Sequence, residues 1–436
     1  MAGVIGIVYK KESCIDDLKK GLHYLQHRAQ DYCGLASFDG KKIKNITHEG
    51  KVLESFSDIE LKKLNGFYGI GSVANDEQPV SSYSSLGEMA ICFDGNVINH
   101  ISLRENFIKE GASFIGFSNP SEVKNIDLIS KIISKENNFE KGIEKLIEKI
   151  EGDFSIVALM KDSIYAARGW GRKPLILGEN EKGYAVASES NSFLNICPPF
   201  KIIRDVKPGE IVQLNRYGIN TLKEFNLQPI QFGTFEWIYT AYPTSIIDGK
   251  SVSEVRKSIG SFLAKKYPVK GDLVSPVPNS GRWHAIGYAR ESGISYEEVF
   301  VRYDYSDRSF TPSKQEERDK VAKMKLLPVV NSIKGKKIIL VDDSIVRGTQ
   351  TLNQVNRLKE FGVEEVHIMI ACPPLMCACK YGDTTKKDED CIAKRLSVEK
   401  IREKLDVDSL NYADISMLEE AIGIPKEKLC LTCWGY

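Results

Sequence analysis

Two aspartates stand side by side at Asp342 and Asp343, followed by a short polar loop at 344–349 that carries Ser344, Arg347, Gly348 and Thr349. Neighbouring carboxylates repel one another unless a cation or hydroxyl groups occupy them. They suit vicinal hydroxyls and a magnesium ion, which takes oxygen ligands. A glycine-containing loop that runs into a helix offers backbone amides and the positive end of the helix dipole, and both suit a phosphate. A site that takes a phosphate, a diol and magnesium takes a phosphorylated ribose.

The elements around these residues must bring them to one place. Residues 338–341 are uniformly apolar, the pattern of a strand buried on both faces of a parallel sheet. Residues 351–362, TLNQVNRLKEFG, read as an amphipathic helix closed by a glycine cap at Gly362. Ligands in open parallel sheets bind beyond the carboxyl ends of the strands. The carboxylates, the loop and the helix N-terminus therefore face one crevice. A plain polar turn would explain the apolar run and the glycine, but not the paired carboxylates. With this context in place, VDDSIVRGT (341–349) resembles the signature of type I phosphoribosyltransferases, in the form found in the amidophosphoribosyltransferase family.

Composition sets bounds. A chain of 436 residues has room for two or three domains. Basic and acidic residues balance at 60 against 59, so charge argues for neither a nucleic-acid partner nor an anionic membrane. No apolar run approaches the length of a membrane span. Residues 4–8 are apolar but too short for a signal peptide, and Lys10 and Lys11 follow at once. Ten cysteines in a chain this long fit reduced thiols or a metal site better than a disulfide scaffold. The expectation is a soluble cytoplasmic enzyme.

In the N-terminal half, residues 3–8 read as a strand, and 18–40 as a helix, a polar turn and a second strand. That order resembles the family's glutaminase domain, an N-terminal-nucleophile hydrolase-like αββα sandwich. LQHRAQD (25–31) resembles the family's LQHRGQD, and segments 66–79, 93–99, 165–178, 183–190 and 205–211 fall where the family has its later strands and turns. The departures concern chemistry. The resemblance implies a cysteine nucleophile whose own free amine is the base, and its place is Ala2. The family's arginine for the glutamine carboxylate falls at Ala74, and 72–77 is shortened. Its oxyanion asparagine falls at Asp94, where a carboxylate would repel developing negative charge. Gly95, the partner position, survives. The family's aspartate for the substrate amine falls near Asn119 and Pro120. The catalytic set of the glutaminase half is thus expected to be absent. Cys14, Cys33 and Cys92 read as buried apolar residues, and Cys33 as no substitute nucleophile.

The polar stretch 226–233 marks a boundary, giving domains 1–228 and 229–436. Segment 235–252 resembles the start of the family's transferase domain, with Tyr242 in place of an arginine and Thr244 in place of an aspartate. Residues 252–267 read as an amphipathic helix. PVPNSG (276–281) resembles the family's PVPDSG loop, which implies that Ser280 contributes to diphosphate and magnesium binding; Asn279 removes one negative charge there. Read plainly, the same loop is a turn into a helix, capped by Asn279 or Ser280. The long polar stretch 300–328 resembles the family's closing loop, with Arg308, Ser309, Phe310, Gln315, Arg318 and Lys325 at matching or similar positions and Asp304 in place of an arginine.

Cys430 and Cys433 have C-x-x-C spacing, and Cys372, Cys377 and Cys379 lie upstream. Such thiolates suit zinc or an iron–sulfur cluster. The resemblance implies a [4Fe-4S] cluster held in part by Cys379, Cys430 and Cys433; the fourth ligand position falls at Gly233, leaving Cys377 or Cys197 as stand-ins.

The expected whole is a degenerate class II glutamine amidotransferase-like domain followed by a type I phosphoribosyltransferase parallel-sheet domain. The resemblance implies attack of ammonia on 5-phosphoribosyl 1-diphosphate, giving 5-phosphoribosylamine, the first step of purine nucleotide synthesis. Asp342 and Asp343 would hold magnesium and the ribose, residues 344–349 the 5-phosphate, and Ser280, Arg308 and Lys325 the diphosphate. Ammonia would come free or from a partner glutaminase, and the family forms homo-oligomers. Three alternatives stay open: a full glutamine-dependent enzyme, a transferase for another amine, and a non-catalytic regulatory paralogue.

Overall fold

The computed structural model describes residues 1–114, 122–303, 326–382, 385 and 387–436. The positions singled out at Asn119, Pro120, Asp304, Arg308, Ser309, Phe310, Gln315, Arg318 and Lys325 lie outside the described residues. The chain divides into two compact units. Met1–Gly233, Thr240–Ser251 and Lys380–Asp383 form the first; Thr234–Tyr239, Val252–Cys379 and Thr384–Tyr436 form the second.

The first unit runs β1 (Ala2–Tyr9), α1 (Ile15–His23), β2 (Tyr32–Phe38), β3 (Ile43–Glu49), α2 (Val52–Ser55), α3 (Asp58–Leu64), β4 (Tyr68–Ala74), β5 (Val80–Ser84) and β6 (Gly87–Val97). It continues with α4 (His100–Lys109), α5 (Asn125–Ser134), α6 (Phe139–Lys149), β7 (Gly152–Met160), β8 (Ser163–Arg168), β9 (Ile176–Glu179), β10 (Gly183–Ala187), β11 (Lys201–Asp205), β12 (Glu210–Asn215) and β13 (Gly218–Glu224). The small hairpin β14 (Ile246–Ile247) and β15 (Lys250–Ser251) belongs to the same unit. One sheet has the order β11-β9-β10-β1-β4-β2-β3 and the other β13-β12-β8-β7-β6-β5.

Period-two alternation sorts the side chains into layers. On β1, Ile5, Ile7 and Tyr9 pack with Leu18 and Leu22 of α1, while Val4 and Val8 face Val157, Leu159 and Ile164 of the second sheet. The outer face of that second sheet, with Ile91, Phe154 and Ile156, carries Ile129 and Ile133 of α5 and Ile143 of α6. Three apolar layers therefore separate helix, sheet, sheet and helix. The hairpin is clamped by Arg168, fully buried, whose two Nη groups donate to Asp248 at 2.7 and 2.9 Å.

The second unit contains α7 (Val252–Lys266), β16 (Leu273–Pro276), α8 (Arg282–Ser292), β17 (Phe300–Arg302), β18 (Leu326–Pro328), β19 (Lys337–Asp342), α9 (Thr349–Glu360), β20 (Glu365–Ile370), α10 (Val398–Leu405), β21 (Ser409–Tyr412) and α11 (Ile415–Ile422). Four strands make a parallel sheet in the order β16-β19-β20-β21. Residues 338–341 of β19 are all fully buried, as their uniform apolarity requires. The helix after it ends with Gly362 at φ +76°, the left-handed cap expected there. Its start is two residues earlier than the helix read over 351–362: Thr349, taken as the end of the loop, is already its first residue.

Helices α7 and α8 meet backbone to backbone. A Cβ on Gly260 would lie 1.9 Å from the carbonyl oxygen of His284, and one on Gly287 1.9 Å from that of Lys257. Neither neighbour is a movable side chain, so an added methyl forces the helices apart. Gly287→Ala is expected to lower stability by roughly 1–3 kcal/mol, the usual cost of overpacking. Urea unfolding of both proteins checks this; an unchanged midpoint would show that the helix pair yields freely.

Candidate functional site

In the second unit the crevice is built on the carboxyl end of β19. Asp342 is its last residue, paired in register with Ile370 on β20. The Asp343 amide donates to Asp342 Oδ1 at 2.9 Å, and Ser344 Oγ donates to Asp343 Oδ2 at 2.6 Å. The loop after β16 comes to the same end: Val277 N donates to Val341 O at 2.8 Å, and Ser280 Oγ donates to Asp342 Oδ1 at 3.5 Å. The close approach depends on Gly281, where a Cβ would lie 2.2 Å from Val341 O. Helix α8 starts at Arg282 with no side-chain cap, so neither Asn279 nor Ser280 caps it. Ser280 reaches across to the acid pair instead.

Burial, and then the neighbouring Asp343 carboxylate, raise the pKa of Asp342 well above the ordinary range. An all-oxygen set of two carboxylates and a hydroxyl fits a hard divalent cation.

The phosphate-loop residues Ser344, Arg347, Gly348 and Thr349 follow directly. Gly348 takes φ +77° as it turns the chain into α9. A second segment backs this loop: Ile392 N donates to Val346 O at 2.8 Å, and Arg347 makes a bidentate pair with Asp390 at 2.9 and 2.8 Å. Asp390 gave no signal in sequence, because it lies 43 residues beyond its partner.

In the first unit the structure gathers Ala2, Ala74 and Asp94. Ala2 opens β1 and pairs in register with Ala74 on β4, so two methyl side chains sit where the resemblance implied a nucleophile and a guanidinium. Asp94, fully buried on β6, accepts from Ala2 N at 2.8 Å and from Arg28 Nη2 at 3.1 Å, with Lys173 Nζ at 3.6 Å. Burial pushes its pKa up, but Lys173 and Arg28 outweigh that and hold the carboxyl below its usual range.

Arg28 Nε also donates to Ala2 O at 2.8 Å, and its Nη1 to Glu189 at 2.6 Å. Glu189 takes His27 Nε2 at 2.8 Å, Tyr242 N at 2.8 Å and Ser245 Oγ at 2.7 Å as well. Sequence reasoning assigned no role to Arg28, Lys173 or Glu189. Cys33 is fully buried, and burial raises its thiol pKa, the opposite of what a nucleophile needs.

Comparison with known proteins bears on the whole chain. Residues 68–195 match the glutamine amidotransferase domain family. The chain is 35% identical to the amidophosphoribosyltransferase of Methanocaldococcus jannaschii, over 99% of this chain and 96% of that protein. It is 36% identical to that of Methanothermobacter thermautotrophicus, over 99% and 93%. The chain belongs to the amidophosphoribosyltransferase family. Its fold superposes with a TM-score of 0.91 on a glutamine phosphoribosylpyrophosphate amidotransferase from B. subtilis, solved with ADP and GMP, at 31% identity over 99% of this chain and 96% of that one. The first unit is accordingly the glutaminase-type sandwich of the family and the second its type I phosphoribosyltransferase domain. The protein is an enzyme of the glycosyltransferase class.

Cys377, Cys379, Cys430 and Cys433 lie in the second unit. Met376 N and Cys377 N donate to Cys433 O at 2.9 and 3.3 Å, Cys377 Sγ donates to Thr432 O at 2.9 Å, and Cys430 Sγ lies 3.7 Å from Thr432 Oγ1. The Cys433 thiol hydrogen-bonds with Cys379 and lies in electrostatic reach of Cys430 and Cys377. Among the described residues, no three His, Cys, Asp or Glu side chains are grouped as ligands of a single metal ion. No helix among the described residues is long and apolar enough to cross a membrane.

Glu189 gives a pH dependence with a definite sign. Burial raises its pKa, but His27, Arg28 and the Tyr242 amide overcome this and hold it down at about 2 against an ordinary 4.5. A depressed carboxylate stabilises the fold above its unfolded pKa, and the contribution is lost as pH falls toward the folded value. At about 1.4 kcal/mol per pH unit this is on the order of 3 kcal/mol. Urea unfolding from pH 7 to pH 3 is expected to show the loss in the native protein. In Glu189→Gln the component is expected to vanish, with lower stability at neutral pH because Arg28 keeps a buried charge. Parallel pH profiles for the two proteins would refute it.

Proposed function

We propose that this protein transfers ammonia to carbon 1 of 5-phosphoribosyl 1-diphosphate, forming 5-phosphoribosylamine and releasing diphosphate, the step that opens purine nucleotide synthesis. The observation that carries the reading is the acid pair Asp342–Asp343 at the end of the central parallel strand, with Ser280 drawn to it and a glycine-turned loop leading into α9. Asp342 and Asp343 hold the ribose hydroxyls and oppose the positive charge that grows on the sugar as diphosphate departs. The amides of residues 344–349 and the N-terminus of α9 bind the 5-phosphate, assisted by Arg347. Ser280 contacts the diphosphate, and by family resemblance Arg308 and Lys325 do the same. The ammonia nitrogen supplies the electron pair for the new C–N bond, the C–O bond to diphosphate breaks, and one proton is lost to solvent.

A magnesium ion, for which Asp342, Asp343 and Ser280 are the fitting ligands, supplies charge neutralisation for the leaving diphosphate. An iron–sulfur cluster on the C-terminal cysteines is the second metal centre of this reading. A homo-oligomer is the working assembly.

The glutaminase half is read as inactive. Ala2 has no nucleophilic atom, Ala74 no cation, and the Asp94 carboxylate occupies the Ala2 amide and Arg28. Ammonia is then taken from solution or from a partner glutaminase. The purified protein, given glutamine with and without phosphoribosyl diphosphate, is expected to release no more glutamate than a protein-free control, yet to form phosphoribosylamine from ammonium. Glutamate release above that control would overturn the inactive-glutaminase reading.

The transferase assignment has its own test. Phosphoribosyl diphosphate is expected to bind only with a divalent cation, and Asp342→Asn or Asp343→Asn to weaken binding at least tenfold. Both variants should fold, since relieving adjacent buried carboxylates is neutral or stabilising in the empty protein. Calorimetric titration with and without magnesium measures this. Equal affinities across wild type and both variants would mean that the acid pair is a structural turn.

A further inference from the structure

The family's four-cysteine pattern is incomplete in this chain, since the fourth ligand position is occupied by Gly233, which has no donor atom. A [4Fe-4S] cluster is held by four thiolates. Sequence left two stand-ins, Cys377 and Cys197. Cys197 is exposed and belongs to the first unit. Cys377 belongs to the same unit as the three family cysteines.

Cys377 is also laced to them. Its backbone N–H donates to the carbonyl of Cys433 at 3.3 Å, and its thiol donates to the carbonyl of Thr432 at 2.9 Å. Cys430 Sγ lies against the hydroxyl of the same Thr432, at 3.7 Å. Thr432, in the middle of C-x-x-C, thus touches one thiol from each segment. Thr234, the residue after Gly233, donates its hydroxyl to Cys430 O at 2.9 Å, which sets the chain at the empty position beside the same segment.

We propose that Cys377 is the fourth ligand of a [4Fe-4S] cluster completed by Cys379, Cys430 and Cys433. The inference rests on the cluster reading given above and deepens it.

The placement ties the cluster to the transferase crevice. Ala378, between two of the ligands, donates its N–H to Asp388 Oδ1 at 2.9 Å. The turn that begins at Asp388 backs the phosphate loop through Asp390 and Ile392. Loss of the cluster would therefore loosen the support under residues 344–349.

The test is iron and acid-labile sulfide analysis of protein purified without air and reconstituted with iron and sulfide, together with visible absorption and the electron paramagnetic resonance spectrum after reduction. Wild type is expected to hold about four of each per chain. Cys377→Ala is expected to lose at least half of its iron, as does Cys379→Ala, while Cys197→Ala and Cys391→Ala keep wild-type content. Circular dichroism reports folding, and if the alanine variant is unfolded, Cys377→Ser takes its place with an altered resonance spectrum as the expected result. Wild-type iron content and spectrum in the Cys377 variant, or loss confined to Cys391→Ala, would overturn the ligand assignment while leaving the cluster reading intact. A wild-type protein that takes up no iron, or only zinc, would overturn the cluster reading and the assignment with it.

Discussion

Two carboxylates held side by side at the end of a buried strand set the terms for the transferase unit. Desolvation, and then the neighbouring Asp343 carboxylate, raise the pKa of Asp342, so its charge is held at a cost. The neighbouring features hold the pair in place. The parallel sheet fixes Asp342 in register with Ile370 of β20, one residue beyond the pairing of Val341 with Pro276 of β16. Gly281 lets the facing loop come close enough for Ser280 to reach it. The 388–394 segment braces the loop that follows.

The first unit solves the reverse problem. Its buried charges are already paired. Asp94 is met by Arg28 and Lys173, and Glu189 by Arg28 and His27. Buried ion pairs repay their desolvation only when the remaining lone pairs are satisfied as well, and here the backbone amides of Ala2 and Tyr242 and the Ser245 hydroxyl complete the set. Asp94 therefore takes up positive charge from Arg28 and Lys173.

The local parts of this design were legible in the sequence. The strand, loop and helix around Asp342 are specified by a contiguous apolar run, a turn glycine and a 3.6-residue period. What sequence did not reveal is non-local. Arg28 lies 66 residues from Asp94 and 161 from Glu189, and each looks like an ordinary charged residue until the two sheets stack. The same holds for Asp390 and for Cys377, whose proximity to Cys433 follows from chain reversals that periodicity does not encode. A single cut in the sequence also hides that residues 240–251 return to the first unit, because the clamp of Arg168 on Asp248 joins positions 80 residues apart.

The segment 240–251 is held by side chains of the first unit. Glu189 grips the Tyr242 amide and the Ser245 hydroxyl, Ser190 Oγ accepts from Ile246 N at 2.8 Å, and Asp205 accepts from Asp248 N at 2.9 Å. These contacts fix the segment that leads directly into α7 of the transferase unit.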